Sequence, residues 1–161
     1  MTTYVKEDFL FDAELVVEDS LDSAGDVSAI EAAQVGKVLN VDKVIDLGDG
    51  IVEGMLIVDV DAIDVTSAAD LLYAIKLQAS NVAAFDTAGL VRDIARLDLG
   101  AGEVLGNGTA TAGDQGAAGD RYTVPFRNVI NGVVYRYLRL YDLQSGTGDT
   151  ITMTAWLSIK R

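Results

Sequence analysis

VVYRYLRLYDL (Val133–Leu143) and TITMTAWLSIK (Thr150–Lys160) flank the short run QSGTGD (144–149) and carry the clearest periodicity in the chain. In the second stretch Ile151, Met153, Ala155, Leu157 and Ile159 fall on one side. Thr150, Thr152, Thr154, Trp156, Ser158 and Lys160 fall on the other. A two-residue period of this kind marks a strand with one buried face, because successive side chains point to opposite faces of a sheet. In the first stretch Tyr135, Tyr137, Arg139 and Tyr141 alternate with Arg136, Leu138, Leu140 and Asp142, so both faces are partly apolar. With a glycine-bearing turn between them, the two stretches predict a terminal hairpin.

Working back towards the start, the same grammar repeats: short apolar runs separated by Gly, Asp and Asn. VIDLGDG (Val44–Gly50) reads as a strand ending in a turn, and EGMLIVDV (Glu53–Val60) as the next strand. LLYAIKLQAS (Leu71–Ser80) places Tyr73, Ile75, Leu77 and Ala79 on one face. Asn81–Gly89 reads as a connection, and VRDIARLDL (Val91–Leu99) fits neither helical nor strand spacing cleanly. Gly100–Asp120 is rich in Gly, Ala, Asp and Thr and predicts a long, mobile surface loop. RYTVPF (Arg121–Phe126) alternates again, and its Pro125, which cannot donate to a ladder, predicts an edge or bulged strand. About eight short strands without a long helix between them predict an all-β fold, a jelly-roll-like antiparallel β-sandwich. Residues 1–43 predict an extended acidic arm, with a helix-tolerant stretch at Ala29–Leu39, leaving 44–161 as the sandwich domain. Phe9, Phe11, Leu15, Val16 and Val17 are too apolar for a solvated tail and imply docking on this domain, a neighbour or a partner.

Composition restricts the function. The chain has 161 residues and a net charge of -13. The charge is uneven: residues 1–70 hold 17 acids and 3 bases, residues 71–161 hold 8 and 9. So acidic a chain argues against nucleic acid as a partner, since that affinity comes from cationic side chains on phosphates. The acidic half serves either solubility or a basic patch on a partner. No run approaches the about 18 apolar residues of a membrane span, and the first ten residues lack a signal-peptide pattern. With no histidine and no cysteine, the usual nucleophile–base triads and thiolate or imidazole metal sites are excluded. Asp59, Asp61, Asp64 and Asp70 could supply oxygens to calcium, but the run lacks the glycine and terminal glutamate of an EF-hand and reads better as a strand end and turn. GDGIVEG and GNGTATAG lack the following Lys-Ser or Lys-Thr of a phosphate loop. No enzyme site and no cofactor is expected.

What remains is surface. Tyr and Arg are enriched at the centres of protein interfaces, which makes Tyr135, Tyr137, Arg139 and Tyr141 candidate contact residues, with Trp156, Phe9 and Phe11. The competing reading is tyrosines lining the core with hydroxyls at its rim. VIDLGDG, YAIKLQASNVAAFDTAG (73–89) and RYLRLYDLQSGTGDTITMTAWLSIKR (136–161) together resemble the jelly-roll capsid cement, or decoration, proteins of tailed bacteriophages. The likeness runs over residues 8 to 161, with 20–40 and 100–120 looking like insertions, and its motifs are short and strand-like. It implies a homotrimer on the outer capsid surface of the virion, bridging neighbouring major capsid proteins. The alternative is a carbohydrate-binding β-sandwich, with Trp156 or the tyrosines stacking on sugar rings. A glycoside-acting enzyme with paired carboxylates is the weakest reading.

Overall fold

A computed structural model describes residues 16–18, 34–39, 41–65, 69–87, 90–106, 114–145 and 151–160. Its strands are β1 (Val16–Glu18), β2 (Gln34–Val35), β3 (Lys37–Val38), β4 (Val41–Asp42), β5 (Ile45–Asp46), β6 (Glu53–Ile63) and β7 (Leu72–Ser80). There follow β8 (Arg92–Gly100), β9 (Arg121–Arg127), β10 (Val129–Ile130), β11 (Val133–Val134), β12 (Tyr137–Ser145) and β13 (Ile151–Lys160). A four-stranded sheet runs β1-β13-β6-β9, and a five-stranded sheet runs β2-β12-β7-β8 with β5 also on β12. All of these pairings are antiparallel. The fold is all-β, an antiparallel sandwich.

The alternation read from the sequence decides which side chains fill it. Leu56, Val58 and Val60 of β6 and Met153, Ala155 and Leu157 of β13 face Tyr73, Ile75 and Leu77 of β7 and Leu138 and Leu140 of β12 in one continuous core. Burying each of these larger aliphatic side chains contributes about 1.5–3 kcal/mol. β9, with Pro125, is an edge strand as its proline requires. The ambiguous spacing of Val91–Leu99 has a physical cause: Ala95 pairs with Leu77 but Asp93 with Gln78, so Ile94 is the extra residue of a β-bulge. Ile94 and Ala95 therefore both pack on the core, which breaks the two-residue period.

Three of the elements expected from the sequence need correction. β12 and β13 do not form a terminal hairpin: β12 pairs with β7 along its whole length and β13 with β6, so the chain crosses from one sheet to the other between them. Both strands carry a buried face, and a sandwich can supply it on either sheet, so alternation alone does not choose the partner. Within the helix-tolerant stretch, residues 34–35 and 37–38 are strands; 29–33 lie outside the described residues. The expected long surface loop begins with structure, a four-residue helix at Gly102–Leu105 whose Gly102 is buried. Gly100 permits this, with φ of 143° and the Leu71 carbonyl where a Cβ would stand. Residues 107–113 lie outside the described set. The division at residue 43 coincides with no break in pairing, since β1 and β2 lie in the two sheets and Val17 is fully buried.

One buried polar residue joins the end of the sandwich together. Asn128, fully buried, accepts from the Val52 N–H (2.8 Å) and donates to the carbonyls of Gly50 (2.9 Å) and Tyr135 (2.8 Å). The β10–β11 hairpin that follows turns through Asn131 (φ 50°) and Gly132 (φ 80°), the positive values a tight two-residue turn needs.

Candidate functional site

On β12 the inward residues are Leu138, Leu140 and Asp142, all buried, and the outward ones are Tyr137, Arg139 and Tyr141, all half-buried. Register sets their neighbours: Tyr137 lies beside Asp46 and Ser80, Arg139 beside Gln78, and Tyr141 beside Val35 and Lys76. The three side chains thus form one row on the outer face of the five-stranded sheet.

Arg139 is the centre of that row. Its guanidinium stacks over the Phe85 ring at 4.4 Å and the Tyr141 ring at 5.4 Å, and its Nε donates to Gln78 Oε1 (3.0 Å). The Gln78 amide in turn donates to Asp93 (3.0 Å), which is also held by the Lys76 ammonium (3.3 Å). Burial pulls the Arg139 pKa below the ordinary arginine value, against the opposing influence of Tyr141 and Asp42. Phe85 comes from the connection after β7 and sits at φ 51°, a conformation costing about 1–3 kcal/mol for a bulky residue. Burial of its ring beneath Arg139 offsets that cost. Gln78, Phe85, Asp86, Val91, Asp93, Arg139 and Tyr141 line an open cleft of about 340 Å³.

The neighbouring end of the row is built differently. Arg136 grips Asp46 with two 2.8 Å hydrogen bonds, leans on the Tyr137 ring at 5.2 Å and reaches Asp49 at 3.6 Å. The Asp46 carboxyl is lowered to about 2, first by the Arg136 hydrogen bond and then by the Gly48 N–H. Asn81 ties this corner down, donating to the Val134 carbonyl (3.1 Å) and accepting from the Arg136 N–H (3.0 Å).

The other candidates fall elsewhere. Tyr135 lies before β12 and is buried in the main core, off the row. Trp156 does stand on the Thr and Ser face of β13, the outer face of the four-stranded sheet, but it is only 5% exposed. Ile57, Met55 and Val38 pack around it, and Arg121 lies 5.2 Å over its ring, itself held by two 2.5 Å hydrogen bonds to Asp59. A partner on that face would meet the cover before the indole. Phe9 and Phe11 lie outside the described residues. Phe85, Gln78 and Asp93 were missed; the only signal for Phe85 was one aromatic residue in a connection of otherwise small residues.

The aspartate run does not converge: Asp59 is held by Arg121, Asp61 accepts from Thr154 (3.4 Å), and Asp64 offers its carbonyl to the Tyr73 hydroxyl (2.8 Å). Among the described residues no three His, Cys, Asp or Glu side chains gather in a way that could hold a metal ion. No family model matches the chain, and neither does any curated protein or solved structure.

Proposed function

We propose that the chain is a structural, non-enzymatic virion protein that binds the outer surface of a tailed-phage capsid as a homotrimer and cements neighbouring major capsid proteins. The observation that carries this is the row Tyr137–Arg139–Tyr141, large side chains held in fixed positions on an open sheet face by Phe85, Gln78 and Arg136. Fixed aromatic and arginine side chains lose little entropy on contact, and such residues dominate interface energetics. The nesting of the strands supports it too: first beside last (β1 on β13), second beside second-to-last (β2 on β12). We read that order as a jelly roll. The resemblance of residues 44–50, 73–89 and 136–161 to phage cement proteins supplies the partner. A protein that binds the assembled shell in preference to free subunits stabilises the shell by linkage, and three equivalent faces per trimer add avidity.

The test is co-sedimentation with phage heads lacking the protein, followed by heating with and without it. Binding together with a raised temperature of DNA release is expected, and its loss in Tyr137→Ala/Tyr141→Ala at unchanged thermal stability. Truncating residues 1–43 is a poor substitute, because Val17 is fully buried and β1 and β2 are sheet strands. No binding to heads, with saturable binding to a glycan, would replace this reading by the carbohydrate-binding one.

A further inference from the structure

Six arginines lie among the described residues, and they are not used alike. Arg96, Arg121, Arg127 and Arg136 each pair with a carboxylate, namely Asp98, Asp59, Glu53 and Asp46. Arg92 is exposed and donates to a backbone carbonyl. Arg139 differs from all of them: it is half-buried, yet among the described residues no carboxylate lies within ion-pair distance of it. In a chain with 25 acids and 12 bases a half-buried arginine without such a partner is unexpected, because desolvating a cation is costly unless its donors are met.

Its Nε is taken by Gln78, and among the described residues no acceptor is bonded to the two terminal nitrogens, which makes them the donors open to a ligand in the cleft of about 340 Å³. Phe85 and Tyr141 fix the plane of the guanidinium and Gln78 fixes its rotation. A planar fork held in this way is organised for two parallel hydrogen bonds to a carboxylate, a geometry lysine cannot reproduce. We propose that the Arg139 cleft is a carboxylate-binding site that takes one Asp or Glu side chain of a partner protein, paired to the terminal guanidinium nitrogens.

The rim narrows what fits. Asp86 and Asp93 also line the cleft, and Asp42 acts on Arg139 from β4. Asp93 is paired with the Lys76 ammonium and accepts from the Gln78 amide, whereas Asp86 accepts only from the Thr87 hydroxyl among the described residues. A run of acids would therefore meet repulsion around the single cation, and a lone carboxylate flanked by neutral residues is selected. This inference stands on the cleft alone and does not depend on a capsid being the partner.

The experiment is a titration of the 15N-labelled full chain, observing the Arg139 Nε–H and Gln78 side-chain amide resonances. The probes are acetyl-Gly-Glu-Gly-amide, its Gln counterpart, and methyl glucuronide. Saturable shifts at both groups are expected with the Glu peptide and not with the Gln peptide. Arg139→Lys, followed through the Gln78 amide, is expected to weaken binding about tenfold, as for one lost charge-assisted hydrogen bond. Equal shifts with both peptides, or shifts equally large at exposed Arg92, would overturn the proposal without recourse to any variant. Tighter binding of the glucuronide than of the Glu peptide would also overturn it, by making the site one for acidic sugars.

Discussion

Replacing Asn128 by alanine removes one side chain and strands three backbone groups at once. The Val52 N–H loses its acceptor, and the carbonyls of Gly50 and Tyr135 lose their donor. The Tyr135 bond is buried, and the other two are partly buried and more open to water. A fully buried polar group left unmade costs about 1–3 kcal/mol, and one that water reaches costs less. Two backbone bonds, Asn128 N–H to Val52 O (3.1 Å) and Tyr135 N–H to Asn128 O (2.8 Å), survive the substitution. The sum is about 3 kcal/mol, a large share of the 5–15 kcal/mol typical of a domain. At this chain length it corresponds to a Tm lowered by roughly 6–12 °C. Urea denaturation followed by the single tryptophan measures it directly. Asn128→Asp sharpens the test, because a carboxylate accepts from Val52 but faces two carbonyl oxygens it cannot donate to. Its folded-state pKa is therefore raised above the unfolded value near 3.9, and the penalty is present at neutral pH. The excess cost of the Asp over the Ala variant declines as pH falls through the raised value and is gone below about 4. A loss under about 0.5 kcal/mol in the Ala variant, or an Asp variant as stable as wild type at pH 7, would refute the assignment of Asn128 as the polar link at this end of the sandwich.

Three further perturbations test separate parts of the structure. Asp46, held by Arg136 and the Gly48 N–H, titrates near 2 in carboxyl NMR, and Arg136→Gln moves its midpoint up towards the ordinary carboxylate range; an unmoved midpoint would dissolve the pair. Since the folded pKa is the lower one, the contribution of this pair is present above the unfolded value and is lost as pH falls through about 2. Arg121→Ala uncovers the only tryptophan, so its emission shifts to the red and acrylamide quenches it more readily; an unchanged spectrum would mean that other groups keep Trp156 covered. Gly54→Ala drives a Cβ into the Ser158 carbonyl and to 3.0 Å from the Phe126 ring, and is expected to cost about 1–3 kcal/mol in denaturation; a neutral result would show that β6 and β13 separate locally at little cost.

The sequence made the faces of the long strands legible and left their partners open. Tyr73, Ile75 and Leu77, and likewise Met153, Ala155 and Leu157, line the core as their alternation predicts. That alternation reports burial, which any facing sheet supplies. It could not tell that β13 pairs with β6, nearly a hundred residues earlier, rather than with the adjacent β12. Where a bulge inserts Ile94, even the period is lost. For the candidate site, Tyr137, Arg139 and Tyr141 were readable because one strand places them together. Phe85 was not, since it reaches Arg139 by tertiary packing from a loop at positive φ, which no local pattern encodes. The cover over Trp156 was not legible for a related reason: its place on a polar face could be read from the strand, but Arg121 and Val38 come from strands distant in sequence to pack on it.

The two outer faces of the sandwich therefore have different consequences for binding. On the four-stranded sheet the largest side chain is already capped by the chain's own Arg121, whose charge is spent on Asp59. A partner there would have to displace a bidentate ion pair before reaching apolar surface. On the five-stranded sheet the rings of Phe85 and Tyr141 hold a cation instead of hiding from one, and no hydrogen bond joins the terminal nitrogens of Arg139 to any other described residue. Ordering has been carried out in advance, so contact on this side costs little further entropy. The groups on this face fix one another in pairs and stacks, with Arg139 held by Phe85, Tyr141 and Gln78 and Arg136 by Asp46.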